Sequence, residues 1–367
     1  MMAMLEEICA INMGQSPDSS TYNEDGNGLP FFQGNADFGE IYPAVRMWCS
    51  EPTKIAREKD ILISVRAPIG ALNIANCECC IGRGLAALTV NEDICAQEYL
   101  WHALSGKVDE LNSKGTGSTF KAINKKTLSE TEIPLPPIDE QRKIAAILDK
   151  VSDLIAKRRQ QLDKLDEMVK ARFVEMFGDP QNNEKNWKMR TFKEICTVRQ
   201  GLQIPISKRL THFEENCYEY ITVAYLHGAK DKEYIKNPKS TVICTKDDVL
   251  MTRTGNTGMV ITNVAGVFHN NFFLIDFDRD KYIKEFLVEY LNLDLIQTEL
   301  KKRAGTSTIP DLNHSEFYKI AIYEPPMDLQ NQFAAFVNQT EKSKITISRS
   351  LEKLETLKKA LMQEYFG

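Results

Sequence analysis

The sequence predicts an α+β protein built twice: two tandem α+β modules, residues 1–137 and 179–326, each followed by a long helix, 138–178 and 327–367. Three observations predict it. Ile144, Leu148, Val151, Ile155, Leu162, Leu165 and Val169 recur on alternating three- and four-residue steps, a coiled-coil seam with Arg158 and Arg172 at its polar positions. One constant offset of 189, which takes Gln141 to Gln330, carries that seam to Phe333, Val337, Ile347, Leu351, Leu354 and Leu361. The same offset takes Pro136-Pro137 to Pro325-Pro326, Asn124 to Asn313 and Phe177-Gly178 to Phe366-Gly367, and the repeat drifts to 188 between Asp60 and Asp248. Short apolar runs separated by Gly and Pro fill the rest of each module, as strands do.

In order, module one opens with a short helical or extended lead, Leu5 to Ile11, and a turn-rich stretch dense in Gly, Pro, Asn and Asp. Strands are expected at Phe31-Phe32, Ile61 to Val65, Ala71 to Ile74 and Leu85 to Val90. One helix is expected from Gln97 to Leu111, with Tyr99, Leu100, Ala103, Leu104 and Leu111 on one face. A Gly/Ser/Thr loop follows at 113–121, and Ile133 to Pro137 hands the chain to the long helix. Module two repeats this with strands at Tyr218 to Val223, Asp248 to Arg253, Gly258 to Thr262 and Phe272 to Phe277, one helix near 283–303, and the loop 304–310. The link from Gly178 to a restart near Arg190 reaches at most ~43 Å, shorter than the ~50 Å of the first helix. The second helix is therefore expected to return antiparallel along the first, a pseudo-twofold pair within one chain.

The composition is that of an ordinary soluble protein, with no apolar run long enough for a membrane span and no signal-peptide pattern at the start, so the chain reads as cytoplasmic. Nine cysteines, an odd number in a chain of 367 residues, read as free thiols. The dense Cys77-Glu-Cys79-Cys80 lacks the spacing of a metal site and reads as a buried strand. Net charge is −5, with the deficit concentrated in residues 1–137, so the chain carries no polybasic nucleic-acid arm. No phosphate-binding Gly-rich loop, zinc-protease motif or adenine-methylating signature occurs. Glu299-Leu-Lys301, the nearest fragment to a nuclease motif, reads as a solvated helix face, and the five histidines are dispersed.

The phrases Asp60 to Gly70 (DILISVRAPIG), Cys80 to Ala86 (CIGRGLA) and above all Ile133 to Ile144 (IPLPPIDEQRKI), in that order within a two-module chain, resemble the specificity subunit of type I restriction-modification systems. The second copy, Glu324 to Gln330, keeps the prolines and Gln but loses much of the basic character. The resemblance implies that each module is a target-recognition domain reading one half of a bipartite, asymmetric double-stranded DNA target. The helices would fix the unread spacer and dock two methyltransferase subunits, with motor-nuclease subunits joining the full complex. Catalysis would belong to those partners, which would carry S-adenosylmethionine, Mg and ATP, and this chain would bind no cofactor or metal and no membrane.

The residues expected to touch DNA are first the two matching loops: Lys114, Thr116, Ser118, Thr119 and Lys121 in one module, Arg303, Thr306, Ser307 and Thr308 in the other. Hydroxyls, Gly amides and a few cations are the donors that phosphates require; the alternative is a plain turn joining helix to strand. For base edges, Gln33 and Asn35 suit adenine, and Arg66, Arg83 and Arg253 suit guanine. Two other function classes stay open at this point, an autonomous DNA-binding protein and a structural coiled-coil scaffold, both outside restriction.

Overall fold

A computed structural model of the chain describes residues 1–117, 121–226, 228, 231–305 and 310–367. It divides into two compact units, Met1–Arg159 with Arg349–Gly367, and Gln160–Ser348, so each unit takes in part of both long helices.

In the first unit a four-stranded antiparallel sheet runs in the order Cys9–Met13, Leu85–Val90, Ile61–Ser64, Leu72–Ile74. Its central strands are apolar without alternation because both faces are covered. Ile61, Ile63, Ala86 and Leu88 pack against the helical layer with Tyr99, Leu100 and Leu104, while Leu62, Leu85 and Ala87 pack against Phe32 and Ile81 of a second sheet. That second sheet has the order Tyr22–Asn23, Trp48–Cys49, Leu29–Phe32, Cys79–Ile81, Ile55–Ala56. Met2–Met4 pairs with Glu132–Pro134 and so ties the start of the module to its end.

The second unit repeats this plan. Its first sheet has the order Cys196–Gln200, Phe272–Phe277, Val249–Thr252, Val260–Ile261, with Val249, Met251, Phe273 and Ile275 toward the helical layer and Leu250, Phe272 and Leu274 toward the second sheet. Lys188–Thr191 pairs with Ala321–Glu324 as the closing clamp. The second sheets differ: here the order is Tyr234–Lys236, Cys217–Ile221, Gly266–Phe268, Ile243–Cys244, without a counterpart of Tyr22–Asn23 among the described residues.

The long helices span Ile138–Phe177 and Met327–Phe366. Within the first unit their segments run antiparallel, with Phe366 packed among Ile144, Ala145 and Leu148 and Arg159 bonded to Glu355 at 2.6 Å. Within the second they also run antiparallel, with Lys344 on Asp166 at 2.7 Å and Phe173 against Phe333 at 5.4 Å between ring centres. Of the seam residues, Ile144, Leu148, Val151, Ile155, Val169 and Phe333 are buried, whereas Leu162, Leu165, Val337, Ile347, Leu351, Leu354 and Leu361 are half-buried.

Each helix enters through a buried glutamine. Gln141 Oε1 accepts the Ala96 N–H at 2.9 Å and its Nε2 donates to the Ile94 and Pro136 carbonyls. Gln330 repeats all three bonds, with the Ile283 N–H and the Lys281 and Pro325 carbonyls.

Two expectations are corrected. The single helix Gln97 to Leu111 is two, Gln97–Gly106 and Val108–Lys114, broken at Lys107 beside a glycine of low helix propensity. The helix near 283–303 is likewise two, Lys284–Asn292 and Asp294–Ala304, with Leu293 extended between them and Asp294 complementing the second N-terminus. All nine cysteines are free, and Cys79 and Cys80 sit buried in a strand, burial pushing the Cys79 thiol up to about 12. Glu299 lies in a helix paired with Arg303, and no group of three metal-ligating side chains converges among the described residues. No helix among them is long and apolar enough to cross a membrane.

Candidate nucleic-acid interface

Where the two sheets of the first unit meet, one cleft gathers Gln33, Asn35, Arg66 and Arg83, together with Asp37 and Ser64. Backbone approach builds it. The strand ending at Phe32 and the turn Gly82-Arg83-Gly84 lie so close that a Cβ on Gly84 would stand 2.4 Å from the Gln33 carbonyl oxygen. Gly82 N–H donates to Phe32 O at 2.8 Å and Val65 N–H to Gly84 O at 2.9 Å. A side chain does not fit at Gly84 and would be tight at Gly82, and between them the exposed side chain of Arg83 is presented at the rim. The Asp37 carboxylate accepts the Gln33 N–H at 2.7 Å, so the acid at this wall is occupied by backbone. Gly84→Ala is expected to cost roughly 1–3 kcal/mol by overpacking, while Gly34→Ala, with nothing within 4 Å of its Cβ, should shift stability by less than about 0.5 kcal/mol. Thermal denaturation of the two variants measures both.

Thr116 and Lys121 of the predicted loop are tied to the residues of this cleft. Arg66 bridges Ala122, Ala122 bridges Thr116, and Ala67 N–H donates to Lys121 O at 3.0 Å. Thr116, Lys121, Arg66 and Arg83 are exposed, and the two arginines and Lys121 make no ion pair among the described residues. Lys114 instead holds Glu110 at 2.6 Å on its own helix. Ser118 and Thr119 lie outside the described residues, as do Thr306, Ser307 and Thr308 of the other loop.

The second unit has the same cleft in the same register. His269 N–H donates to Ile221 O and Arg253 N–H to Asn271 O, the bonds made by Gly82 and Val65 in the first. Gly201 lies against His269 O as Gly14 lies against Gly82 O. Thr222, Tyr225, Arg209, Lys232, His269 and Asn271 line it. The register equates Gln33 with Thr222, Arg83 with Asn270, and Arg66 with Thr254, which bridges Asp311 as Arg66 bridges Ala122. Burial and the nearby Arg209 hold the His269 imidazole below its usual range and therefore neutral at pH 7. None of these residues was singled out from the sequence, although the drifting offset of 187 to 189 leads to them.

Two expected contacts change role. Arg253 is held in a bidentate pair with Asp311 through its Nε and Nη2, at 2.9 and 2.7 Å, and with its side chain only 17% exposed it is not presented as Arg83 is. Arg303 is shared between Glu299 at 2.6 Å and Glu316 at 3.2 Å, and so pins helix to helix.

A family model described as the type I restriction modification DNA specificity domain matches residues 1–166 and 184–359. The chain belongs to that family. It is 44% identical over 165 residues to a Methanocaldococcus jannaschii chain assigned as the MjaX specificity subunit of a type I restriction enzyme, over 45% of this chain and 39% of that one. It is 25% identical over 334 residues to the type I restriction enzyme MjaIX specificity subunit of the same organism, over 82% of this chain and 75% of that one. The match thus spans only about two fifths of the MjaX chain and three quarters of MjaIX. The fold resembles the solved type I restriction-modification S subunit of M. genitalium, with a TM-score of 0.65 at 15% identity, covering 100% of this chain and 96% of that one.

Proposed function

We propose that this chain is the DNA-recognition subunit of a type I restriction-modification complex, its two modules reading the two halves of a bipartite, asymmetric double-stranded DNA target. The carrying observation is the pair of clefts: one backbone scaffold made twice, at matching register, with different side chains. A shared scaffold fits a shared DNA backbone, and different linings fit different base sequences. In the first module Gln33, Asn35, Arg66, Arg83, Thr116 and Lys121 form the contact set; in the second, Thr222, Asn270 and Asn271.

Each long helix has 40 residues, about 60 Å, against ~34 Å for a turn of DNA, a length suited to setting an unread spacer. Ile147, Leu154, Met168 and Val174 on the first helix and Ile345 and Leu357 on the second are exposed apolar side chains, the surface two methyltransferase subunits require. The chain then performs no catalysis. S-adenosylmethionine, Mg and ATP act on the methyltransferase and motor-nuclease partners, in the cytoplasm, and basic partner surfaces offset a chain of net charge −5. Co-purification tests this. A tagged chain is expected to retain the methyltransferase chain of its own system, and the complex to retard duplex DNA that the chain alone does not. Retardation by the chain alone would favour an autonomous DNA-binding protein.

A further inference from the structure

The two clefts differ in one chemical respect that decides which bases they take. In the first, Arg83 and Arg66 are exposed guanidinium groups with no carboxylate partner among the described residues. Arg83 is carried on a turn whose Gly84 is required by the close passage of the Gln33 carbonyl. In the second, the equivalent positions hold Asn270 and Thr254, and the described cations around them are already neutralised. Arg209 is bonded to Glu233 at 2.9 and 3.3 Å and to the Ile204 carbonyl at 2.9 Å, Lys232 is paired with Glu219, and Arg253 is held by Asp311. The Thr254 hydroxyl is likewise given to Asp311, at 2.9 Å.

Asn270, in the place of Arg83, does not present its amide oxygen to solvent. Asn270 Oδ1 is buried without a hydrogen-bond partner, and its Nδ2 meets only Gln203 Oε1, at 3.5 Å. Beside it stands His269, whose Nδ1 accepts the Asn271 N–H at 3.1 Å.

Resting on the reading of the chain as a DNA-recognition subunit, we propose that the first module reads guanine through Arg83 and Arg66, and that the second module reads its half without an arginine. In the major groove only guanine offers two acceptors, O6 and N7, to a guanidinium fork. In the second cleft the side chains of Arg253 and Arg209 are only 17% and 18% exposed, so neither is presented to a base as Arg83 and Arg66 are. The half-target of the first module therefore contains at least one G·C pair held by an arginine, and the half-target of the second does not.

The test uses the full chain assembled with the methyltransferase subunits of its own system. The complex methylates a randomised duplex library, and modified positions are read by long-read sequencing. The wild-type complex is expected to give a split motif. Arg83→Ala is expected to lower discrimination at a guanine of one half roughly 10- to 100-fold, leaving the other half unchanged. Arg83→Lys, which keeps the charge but loses the fork, should relax the same position while holding DNA affinity. Asn270→Ala, at the equivalent position of the second module, should leave that guanine position unchanged. A split motif that both Arg83 variants leave intact, or that Arg83 and Asn270 variants relax in the same half, overturns the base assignment alone. A wild-type complex giving no split motif overturns it together with the proposed function.

Discussion

Phe173→Ala is expected to destabilise the second unit by about 3–5 kcal/mol, the range for removing a fully buried aromatic ring. Phe173 has no exposed surface and sits at the centre of an aromatic cluster, with Phe177 at 4.9 Å, Phe286 at 5.4 Å and Phe333 at 5.4 Å between ring centres. These rings come from both long helices and from the module, so the cavity would open where helix and module are joined. Val174→Ala, one residue along and 45% exposed, should change stability by less than about 0.5 kcal/mol. Denaturant midpoints of the two variants, read by near-ultraviolet signal, separate the effects; equal midpoints would remove Phe173 from the joint.

Gln330→Leu is expected to cost about 3 kcal/mol or more. The volume is nearly kept, but one N–H and two carbonyls lose their partner, and each buried group left unsatisfied costs roughly 1–3 kcal/mol. Gln330→Glu should not rescue it, because a carboxylate accepts from Ile283 but cannot donate to Lys281 and Pro325. Gln141→Leu should do the same in the first unit, where the buried Ala96 N–H would lose its acceptor. Hydrogen exchange at Ile283 and Ala96 measures the local effect apart from global unfolding; protection that survives in both variants would contradict the role.

Much of this was legible because repetition is visible in one dimension. The offset between Gln141 and Gln330 marked two residues that make the same three bonds, and the heptad steps from Ile144 to Val169 marked a helix that spans Ile138–Phe177. Phe173 escaped because it lies off that seam, on the face turned to the module core, which a search for one stripe discards. The break at Leu293 escaped because helical spacing continues through it.

In the site, Gln33, Asn35, Arg66 and Arg83 could be chosen by residue type, and the fold brings them to one cleft. Residue type could not exclude Arg253 or Arg303, whose carboxylate partners Asp311 and Glu316 lie 58 and 13 residues away and meet them only in three dimensions. Asn270 was missed for the converse reason. It holds the place of Arg83 by backbone register, and without the hydrogen bonds of His269 and Asn271 nothing distinguishes it from any other loop asparagine.

The most direct test is the adenine methylation pattern of the source genome, read by single-molecule sequencing with and without this gene while the partner methyltransferase is expressed. Loss of one split, asymmetric motif on deletion, and its return on complementation, is the expected result. A pattern unchanged by the deletion would contradict a role in choosing the DNA target.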